Sequence, residues 1–247
     1  MSTQKMLSKL RKAVTDFKMI KDGDKVAVGV SGGKDSVTLL KLLAEYRKFS
    51  PERFDLIAIT VDLRFDKTDT DFSSIENFCT ANDIPYFIER TDIGEIIFDA
   101  RKEKSPCSLC SKMRKGALYD VAKRHGATKV ALGHHSDDLT DTFLMSMLYE
   151  GRLSTFAPKS YLDRSQLTLI RPMLYLDEAT IKGYSKDLPI VPSKCPADKN
   201  TKREYVKDLI KGIGKDLPCV REMLFTALTH PERYSLFDKY QDQIDKF

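Results

Sequence analysis

The feature that most constrains this chain is an apolar stretch that leads into a glycine-bearing turn and then a helical pattern. Residues 26–30 are mostly β-branched and predict a buried strand of a parallel sheet, and leucines within 39–43 give the next helix its apolar face. Gly32 and Gly33 permit backbone angles in the turn that other residues avoid. The N–H groups of such a turn converge on an anion at the positive end of the helix. The stretch therefore predicts a phosphate-binding loop.

Polar side chains in the same turn sharpen this prediction. Lys34 adds a positive charge, and Ser31 and Ser36 add hydroxyl donors. Asp35 is unfavourable beside a phosphate unless it caps the helix or faces a metal ion, so a nucleotide that carries Mg²⁺ accounts for both charges. Neither the Walker pattern nor the dinucleotide fingerprint is present. Residues 31–36 resemble instead the PP-loop of the ATP pyrophosphatase superfamily, which splits ATP into AMP and pyrophosphate; an ordinary strand-to-helix turn is the alternative.

Composition sets broad bounds. At 247 residues the chain is long enough for one large α/β domain with appendages. It contains no run of about 18 apolar residues, and its lysine-rich start lacks the apolar centre of a signal peptide, so we expect a cytoplasmic protein with no membrane contact. The net charge of +5 permits a polyanionic partner without requiring one. Five cysteines in a cytosolic chain favour metal or redox chemistry over a disulfide framework.

Strand and helix patterns alternate as in an α/β fold with a doubly wound, mostly parallel sheet and extra helices at both ends. We predict an N-terminal helix within 1–20, a nucleotide-binding core over 21–153, and an extension over 154–247 that completes the site. The predicted strands are 26–30, 55–61, 86–88, 129–132 and 166–170. Predicted helices include 3–20, 71–82, 112–125 and one that ends near 151.

Ligands of open parallel sheets sit beyond the carboxyl ends of the strands. Asp62 follows the second predicted strand, and a Gly-His-His-Ser-Asp-Asp turn at 133–138 follows the fourth. We therefore predict that Asp62, Gly133 and His134 contact the nucleotide, and that Asp137 acts in catalysis or shares the Mg²⁺. The alternative is that Asp137 caps a helix and the histidines are solvated.

The cysteines are the second informative group. Cys107 and Cys110 form a Cys-x-x-Cys spacing in a loop predicted to precede a helix, and Cys195 lies far downstream between two prolines. The pair alone is compatible with a thiol–disulfide couple, half of a zinc site, or part of an iron–sulfur site. Structural zinc requires a fourth ligand, such as a histidine. Cys79 and Cys219 are predicted to be small buried apolar residues.

The order of these motifs is similar to that of the tRNA 2-thiocytidine synthetases, the TtcA-type sulfur-transfer enzymes. The likeness covers roughly residues 20–210 and rests on the PP-loop, residues 107–110, residues 132–138, Ile170-Arg171-Pro172 and Cys195. It implies that Cys107, Cys110 and Cys195 bind an oxygen-sensitive [4Fe-4S] cluster. It also implies that ATP adenylates C2 of a pyrimidine, cytidine first, in the anticodon loop of tRNA, and that sulfur then displaces AMP.

The resemblance extends to partners and has two departures. A second cysteine common just before the third ligand is replaced here by Ser193 or Lys194, and the zinc-binding Cys pairs of related 2-thiouridine synthetases are absent from the sequence. The sulfur source would be a cysteine desulfurase or free sulfide, and a homodimer is expected from the resemblance alone. Arg114, one helical turn beyond Cys110, is placed to neutralise charge beside the cluster; a solvated helix residue is the alternative.

Contact with tRNA requires a basic surface. Basic residues are concentrated at 194–215 and at 5–18, and Arg152 and Arg171 are further candidates, although such runs are often only solvated helix faces. Two other functions compete with tRNA thiolation. A lysidine- or amidotransferase-like PP-loop ligase shares the ATP half but leaves three thiols without a role. An ATP-binding redox-sensing module uses the thiols as a switch but leaves Lys34 and Asp35 unexplained.

Overall fold

The computed structural model describes residues 2–101, 106–197 and 202–234. Six strands form a single sheet: β1 Lys25–Gly29, β2 Asp55–Asp62, β3 Tyr86–Arg90, β4 Lys129–Ala131, β5 Lys159–Leu162 and β6 Leu167–Ile170. Their order across the sheet is β3-β2-β1-β4-β6-β5. All neighbouring pairs run parallel except the antiparallel pair of β5 with β6. The predicted α/β fold with a doubly wound, mostly parallel sheet is confirmed.

Helices cover both faces of this sheet and extend beyond it. They are α1 Thr3–Asp16, α2 Lys34–Arg47, α3 Ser73–Ala81, α4 Ile93–Glu95, α5 Pro106–Arg124, α6 Ser136–Glu150, α7 Glu178–Tyr184, α8 Lys202–Ile213 and α9 Val220–Thr229. A π-helical segment, Ile96–Ala100, follows α4, and short 3₁₀ turns cover Ser185–Asp187 and Pro231–Arg233. No helix among the described residues combines the length and the apolar character needed to cross a membrane.

The core lies in two apolar layers because successive side chains of each strand point to opposite faces. On β1, Val26 and Val28 pack in the layer that also contains α1 and α2, whereas Ala27 packs in the layer that contains α5. Strand β2 alternates in the same way, with Leu56 on the first side and Ile57 on the second. With both faces covered, the central strands are apolar at nearly every position, and this is why the sequence revealed them.

Five strands lie within two residues of their predicted positions, and the differences lie elsewhere. No strand was predicted at β5, where the pattern after 154 was interpreted as lysine-rich helices, and no helix was predicted at 93–100. The edge strand β5, Lys-Ser-Tyr-Leu, is partly exposed and lacks the apolar pattern of a buried strand. Helix α1 ends at Asp16, earlier than predicted. Strands β5 and β6 join the sheet from within the extension predicted after 153, and that boundary itself stays a prediction.

Two predictions about the cysteines were wrong. Helix α5 already includes Pro106, Cys107 and Cys110, so the Cys-x-x-Cys pair lies on the first two turns of a helix and not in a loop. Proline is favoured there because its fixed φ suits a helix and its missing N–H has no intrahelical partner. Cys219 is exposed at the N-cap of α9, outside any apolar face. Cys79 is buried as predicted, and burial raises the pKa of its thiol to about 12.

Candidate active site

The predicted phosphate-binding loop connects β1 to the start of α2 and is closed by its own side chains. The Ser31 N–H donates to Ser36 Oγ at 3.1 Å, and the Ser36 hydroxyl donates to the Gly33 carbonyl at 2.9 Å. Gly32 has φ +86°, which favours glycine. Because α2 begins at Lys34, its unpaired N-terminal N–H groups lie beside the loop. The loop has the local structure that an anion site requires.

Lys34 lies between two carboxylates at this loop. Its Nζ is 3.0 Å from Asp35 Oδ2 and 3.0 Å from Glu178 Oε1. Burial would lower the pKa of Lys34, but Asp35 and Glu178 outweigh it and hold that pKa above its usual range. Burial opposes ionisation of Glu178 in the same way, but Lys34 and Lys207 lower its pKa to about 2. Lys34 and Glu178 are therefore both charged at neutral pH.

The two carboxylate oxygens of Asp35 differ in their partners. Oδ2 pairs with Lys34, whereas Oδ1 is buried and has no hydrogen-bond partner among the described residues. His135 Nε2 lies 3.7 Å from Oδ1. A buried carboxylate oxygen without a donor is costly unless a ligand or cation completes it.

The turn after β4 packs directly on the PP-loop. A Cβ at Gly133 would lie 2.9 Å from both the carbonyl carbon and the carbonyl oxygen of Asp35, a distance that only glycine avoids. Gly133 thus lets the 133–138 turn approach the backbone of the loop. The structure brings this predicted site residue beside Ser31–Ser36 through backbone contact.

The two histidines of this turn have different surroundings, and neither is the solvated residue of the alternative interpretation. Burial lowers the pKa of His134 to about 4, with Arg171 and Lys115 acting in the same direction against Asp138. Its Nδ1 accepts a hydrogen bond from Arg171 Nε at 3.3 Å, which requires the neutral ring. His135 is buried at the N-cap of α6, and its backbone N–H donates to Asp138.

Asp137 is held by two C-terminal elements. Its Oδ2 accepts from the Glu178 N–H at 2.8 Å, and its Oδ1 is 3.1 Å from Arg221 Nε on α9. The alternative prediction that Asp137 caps a helix was wrong. The N-cap of α6 is His135, and the backbone N–H of His135 donates to Asp138. Asp137 therefore holds α7 and α9 against the 133–138 turn, beside residues 31–36.

Asp62 is buried, is the last residue of β2 and shapes the loop that follows. It accepts hydrogen bonds from the Thr70 N–H at 2.8 Å, the Thr70 hydroxyl at 3.0 Å and the Arg64 N–H at 3.2 Å. The residue also lines a crevice of about 220 Å³ together with Ser31 and Gly33. The predicted juxtaposition of Asp62 with the loop is thus present, although its oxygens already have local partners.

The three thiols predicted from the motif order line one cavity. Cys107, Cys110 and Cys195 surround a space of about 170 Å³ that Arg114 also lines. Burial raises the pKa of Cys110, Arg114 opposes this, and the neighbouring Cys195 and Cys107 add to it. Within the described residues, no group of three or more His, Cys, Asp or Glu side chains is arranged to hold a metal ion as it stands. The thiols share a wall without converging on one point.

Cys195 lines this cavity because residues 191–195 lie against the PP-loop and the loop after β2. The Val191 N–H donates to the Gly32 carbonyl at 3.0 Å. Lys194 Nζ is 2.6 Å from Asp66 in the loop after β2. Cys110, Arg114 and Cys195 consequently line the thiol cavity and also the crevice that contains Ser31 and Gly33.

Comparison with known proteins identifies the family. A family model described as a PP-loop domain matches residues 2–211. The tRNA-cytidine(32) 2-sulfurtransferase of Citrifermentans bemidjiense is 36% identical over 94% of this chain and 92% of its own length. The enzyme of the same name from Syntrophotalea carbinolica is 38% identical over 92% of this chain and 89% of its own. This chain belongs to the PP-loop tRNA-cytidine 2-sulfurtransferase family.

A solved structure agrees with this membership. The U34-tRNA thiolase NcsA from Methanococcus maripaludis, determined with its [4Fe-4S] cluster, superposes with a TM-score of 0.75 and 26% identity. The alignment covers 96% of this chain and 80% of that one. The resemblance predicted from the motifs is confirmed, and so is the expectation that this family member is an enzyme.

The sequence-based candidates for tRNA contact differ in their exposure in this sulfurtransferase-family chain. Arg171 is buried, pairs with His134 and lies 4.7 Å from the ring centre of Phe156, so it is an internal residue and not a phosphate ligand. Arg152 is exposed. Among the basic residues on α8 and just after it, Lys202, Lys211 and Lys215 are exposed, whereas Arg203 and Lys207 are half-buried. Lys199 lies outside the described residues.

Sequence reasoning missed Glu178 and Arg221. Glu178 contacts the PP-loop lysine, and Arg221 contacts Asp137 and Asp141, although both belong to helices that follow the predicted core. Asp141 is fully buried; burial raises its pKa and Arg221 opposes the shift. Only long-range contacts distinguish these two residues from other charged helix residues, and a single sequence does not display them.

Proposed function

We propose that this enzyme is an ATP-dependent tRNA sulfurtransferase that adenylates C2 of a pyrimidine and replaces its oxygen with sulfur. The observation that carries the proposal is the wall that Cys110, Arg114 and Cys195 share between the thiol cavity and the PP-loop crevice. Activation and sulfur delivery at one base require both parts to face the same space. The name of the relatives supports cytidine 32 of the anticodon loop as the target, and the likeness to NcsA supports uridine 34 as the second candidate.

The nucleotide half of the proposal is ATP at residues 31–36. A Cβ at Gly33 would meet only Ser31 Oγ, at 3.6 Å, so this side of the loop is open toward a phosphate. The unpartnered Asp35 Oδ1 fits a Mg²⁺ ion carried by the nucleotide. We propose that Asp62, Gly133 and His134 complete the nucleotide site, Asp62 through its loop and Gly133 through its contact with Asp35.

The sulfur half is a [4Fe-4S] cluster on Cys107, Cys110 and Cys195. Three free thiols on one cavity wall fit this group in their chemistry, because a cubane binds each thiolate through a different iron and its ligands need not meet at one point. With three thiolate ligands, the cluster would supply an iron with an open coordination position for the incoming sulfur. Arg114 has no ion-pair partner among the described residues and is available to neutralise charge on this wall.

The residues of the chain have the following roles. The C2 oxygen of the base attacks the α-phosphorus of ATP, the bond to the bridging oxygen breaks, and pyrophosphate leaves. Lys34 and the loop N–H groups stabilise the charge that grows on the phosphates. Sulfur then bonds to C2, and AMP leaves with the original oxygen. Asp137, whose oxygens are both engaged, supports this geometry by holding α7 and α9.

The remaining partners follow from this reaction. We propose tRNA contact by exposed lysines on and next to α8, because phosphate neutralisation supplies most nonspecific affinity for tRNA. The basic residues of the N-terminal helix are the alternative surface. A cysteine desulfurase or free sulfide would provide sulfur, and the protein would act in the cytoplasm, with a homodimer as its expected state. A PP-loop ligase that has no cluster would give no role to the wall that the thiol cavity and the crevice share. A redox-sensing module would give it no role either.

Anaerobic purification with iron and acid-labile sulfide analysis tests the cluster. Cys195→Ala should lose the iron, whereas Cys219→Ala is the matched control, because Cys219 is a free exposed thiol that does not line the cavity. A colourless protein that contains one zinc, or equal iron in both variants, contradicts the cluster assignment. Mass analysis of nucleosides from tRNA of a deletion strain names the base, and tRNA that loses no sulfur-containing nucleoside refutes thiolation.

The ATP half has its own test. Lys34→Ala should lower AMP formation by about 10²–10³-fold, the usual effect of removing one preorganised charge stabiliser, while the iron content stays the same. Lys41→Ala is the matched control, because Lys41 lies two turns along the same helix and pairs with Glu45 at 2.9 Å. AMP release by Lys34→Ala at the rate of Lys41→Ala would refute the PP-loop assignment.

A further inference from the structure

Glu178 is the first residue of α7 and connects four parts of the molecule. Its Oε1 is 3.0 Å from Lys34 Nζ on the PP-loop, and its Oε2 is 3.3 Å from Lys207 Nζ on α8. Its backbone N–H donates to Asp137 on α6 at 2.8 Å. Asp137 is in turn 3.1 Å from Arg221 on α9. No motif in the sequence analysis included Glu178.

The carboxylate of Glu178 has a fixed position. Asp177 caps α7 by accepting from the Thr180 N–H at 2.7 Å, and the Glu178 N–H is held by Asp137. The other partner of Lys34, Asp35, is its neighbour in sequence and moves with the same stretch of backbone. Glu178 belongs to a different element, so its contact sets the direction of the Lys34 side chain relative to the rest of the site.

We infer that Glu178 is a positioning residue of the reaction, which holds Lys34 Nζ at the mouth of the PP-loop for the transition state. The inference rests on the proposed function, because it assumes ATP at residues 31–36. A second carboxylate beside the phosphates adds nothing to nucleotide affinity, since like charges repel. Its benefit arises when charge grows on the departing pyrophosphate and Lys34 must already be in place. Glu178 therefore supports kcat and not the affinity for ATP.

A charge-neutral variant separates this role from general stability. Glu178→Gln should lower kcat for AMP formation about tenfold and leave KM for ATP within about twofold, the pattern of an interaction made in the transition state. The matched control is Glu45→Gln on α2, because Glu45 also bridges two lysines, with Nζ distances of 2.9 Å to Lys41 and 3.0 Å to Lys48. The control should change neither constant. A rise in KM without a fall in kcat overturns the inference, and so do equal values for the two variants.

A second measurement needs neither tRNA nor a cluster. The rate at which an amine-reactive reagent labels Lys34, followed by peptide mass analysis, should rise in Glu178→Gln and stay at the wild-type value in Glu45→Gln. An unchanged rate in Glu178→Gln shows that Glu178 does not hold Lys34 and overturns the inference. If Lys34→Ala still forms AMP, the proposed function fails, whereas the labelling result still decides whether the carboxylate holds this lysine.

Discussion

Single glycines at two positions determine how closely the backbone segments of the site approach each other. Gly32 has a positive φ, and a Cβ there would lie 3.0 Å from Val191 Cβ and 3.1 Å from the Val191 carbonyl oxygen. Gly133 lies against the Asp35 carbonyl. The sequence identified both as site residues from their place after strands. Their steric roles depend on segments distant in sequence, so the structure was needed to reveal them.

Gly133→Ala tests this close approach. The added methyl group would lie 2.9 Å from backbone atoms of Asp35, which cannot rotate away as a side chain can, so the PP-loop must shift. We expect ATP affinity to fall at least about tenfold, as for other errors in site geometry, in titration calorimetry. Thermal unfolding should also occur at a lower temperature, because overpacking costs roughly 1–3 kcal/mol.

Gly116→Ala is the control for that variant. Gly116 lies within α5, and a Cβ there would meet nothing within 4 Å. Alanine inside a helix should stabilise the protein by about 0.5–1 kcal/mol relative to glycine and leave ATP affinity unchanged. Equal ATP affinities in the two variants would show that the Gly133 contact is unimportant for the nucleotide site.

At the scale of elements, sequence patterns revealed what is local and missed what is long-range. The PP-loop lies within one strand–turn–helix unit, and Ser31, Gly33 and Ser36 form hydrogen bonds within it, so the local sequence was enough. The first turn of α5 was missed because Ser-Pro-Cys-Ser gives no apolar periodicity, although proline at that place is a helix-start signal. The segment that carries Cys195 has no regular structure, and its path depends on long-range contacts such as Val191 with Gly32 and Lys194 with Asp66.

Removing one backbone donor tests whether this contact places Cys195. Val191→Pro deletes the N–H that bonds to the Gly32 carbonyl, whereas Val191→Ala keeps it and serves as the control. We expect Cys195 in Val191→Pro to react several-fold faster with an alkylating reagent in the cluster-free protein, because its segment opens more often. The iron content after reconstitution should fall. Equal alkylation in both variants would mean that other contacts, such as Lys194 with Asp66, place this thiol.

At the scale of the whole molecule, the C-terminal helices are joined to the nucleotide site by charge. Helix α9 follows the residues 2–211 that match the PP-loop domain, yet its Arg221 contacts both Asp137 and the fully buried Asp141. Lys207 of α8 reaches Glu178 beside Lys34. Helix α8 therefore lies beside the proposed nucleotide site. It exposes Lys202 and Lys211 together with Glu204 and Asp208, and the exposed Lys215 follows it, so we propose that tRNA approaches over these three lysines.

Charge removal on two surfaces tests this direction of approach. A variant with Lys202, Lys211 and Lys215 replaced by Gln removes three exposed charges on and next to α8, and one with Lys5, Arg11 and Lys18 replaced by Gln removes three on and next to α1. Each lost phosphate contact should reduce the slope of log affinity against log salt by about 0.7–0.9. We expect the α8 variant to reduce the slope by about 2 and to weaken tRNA binding about tenfold at low salt.

The α1 variant should bind tRNA nearly as well as the wild type, since these charges do not border the path from Glu178 to Lys34. Binding of ATP alone should be the same in both variants, because none of the six residues lines the crevice. A larger loss of slope in the α1 variant would place the tRNA on α1 instead of α8. Catalysis would then require the anticodon loop to reach the shared wall of Cys110 and Cys195 without passing α8.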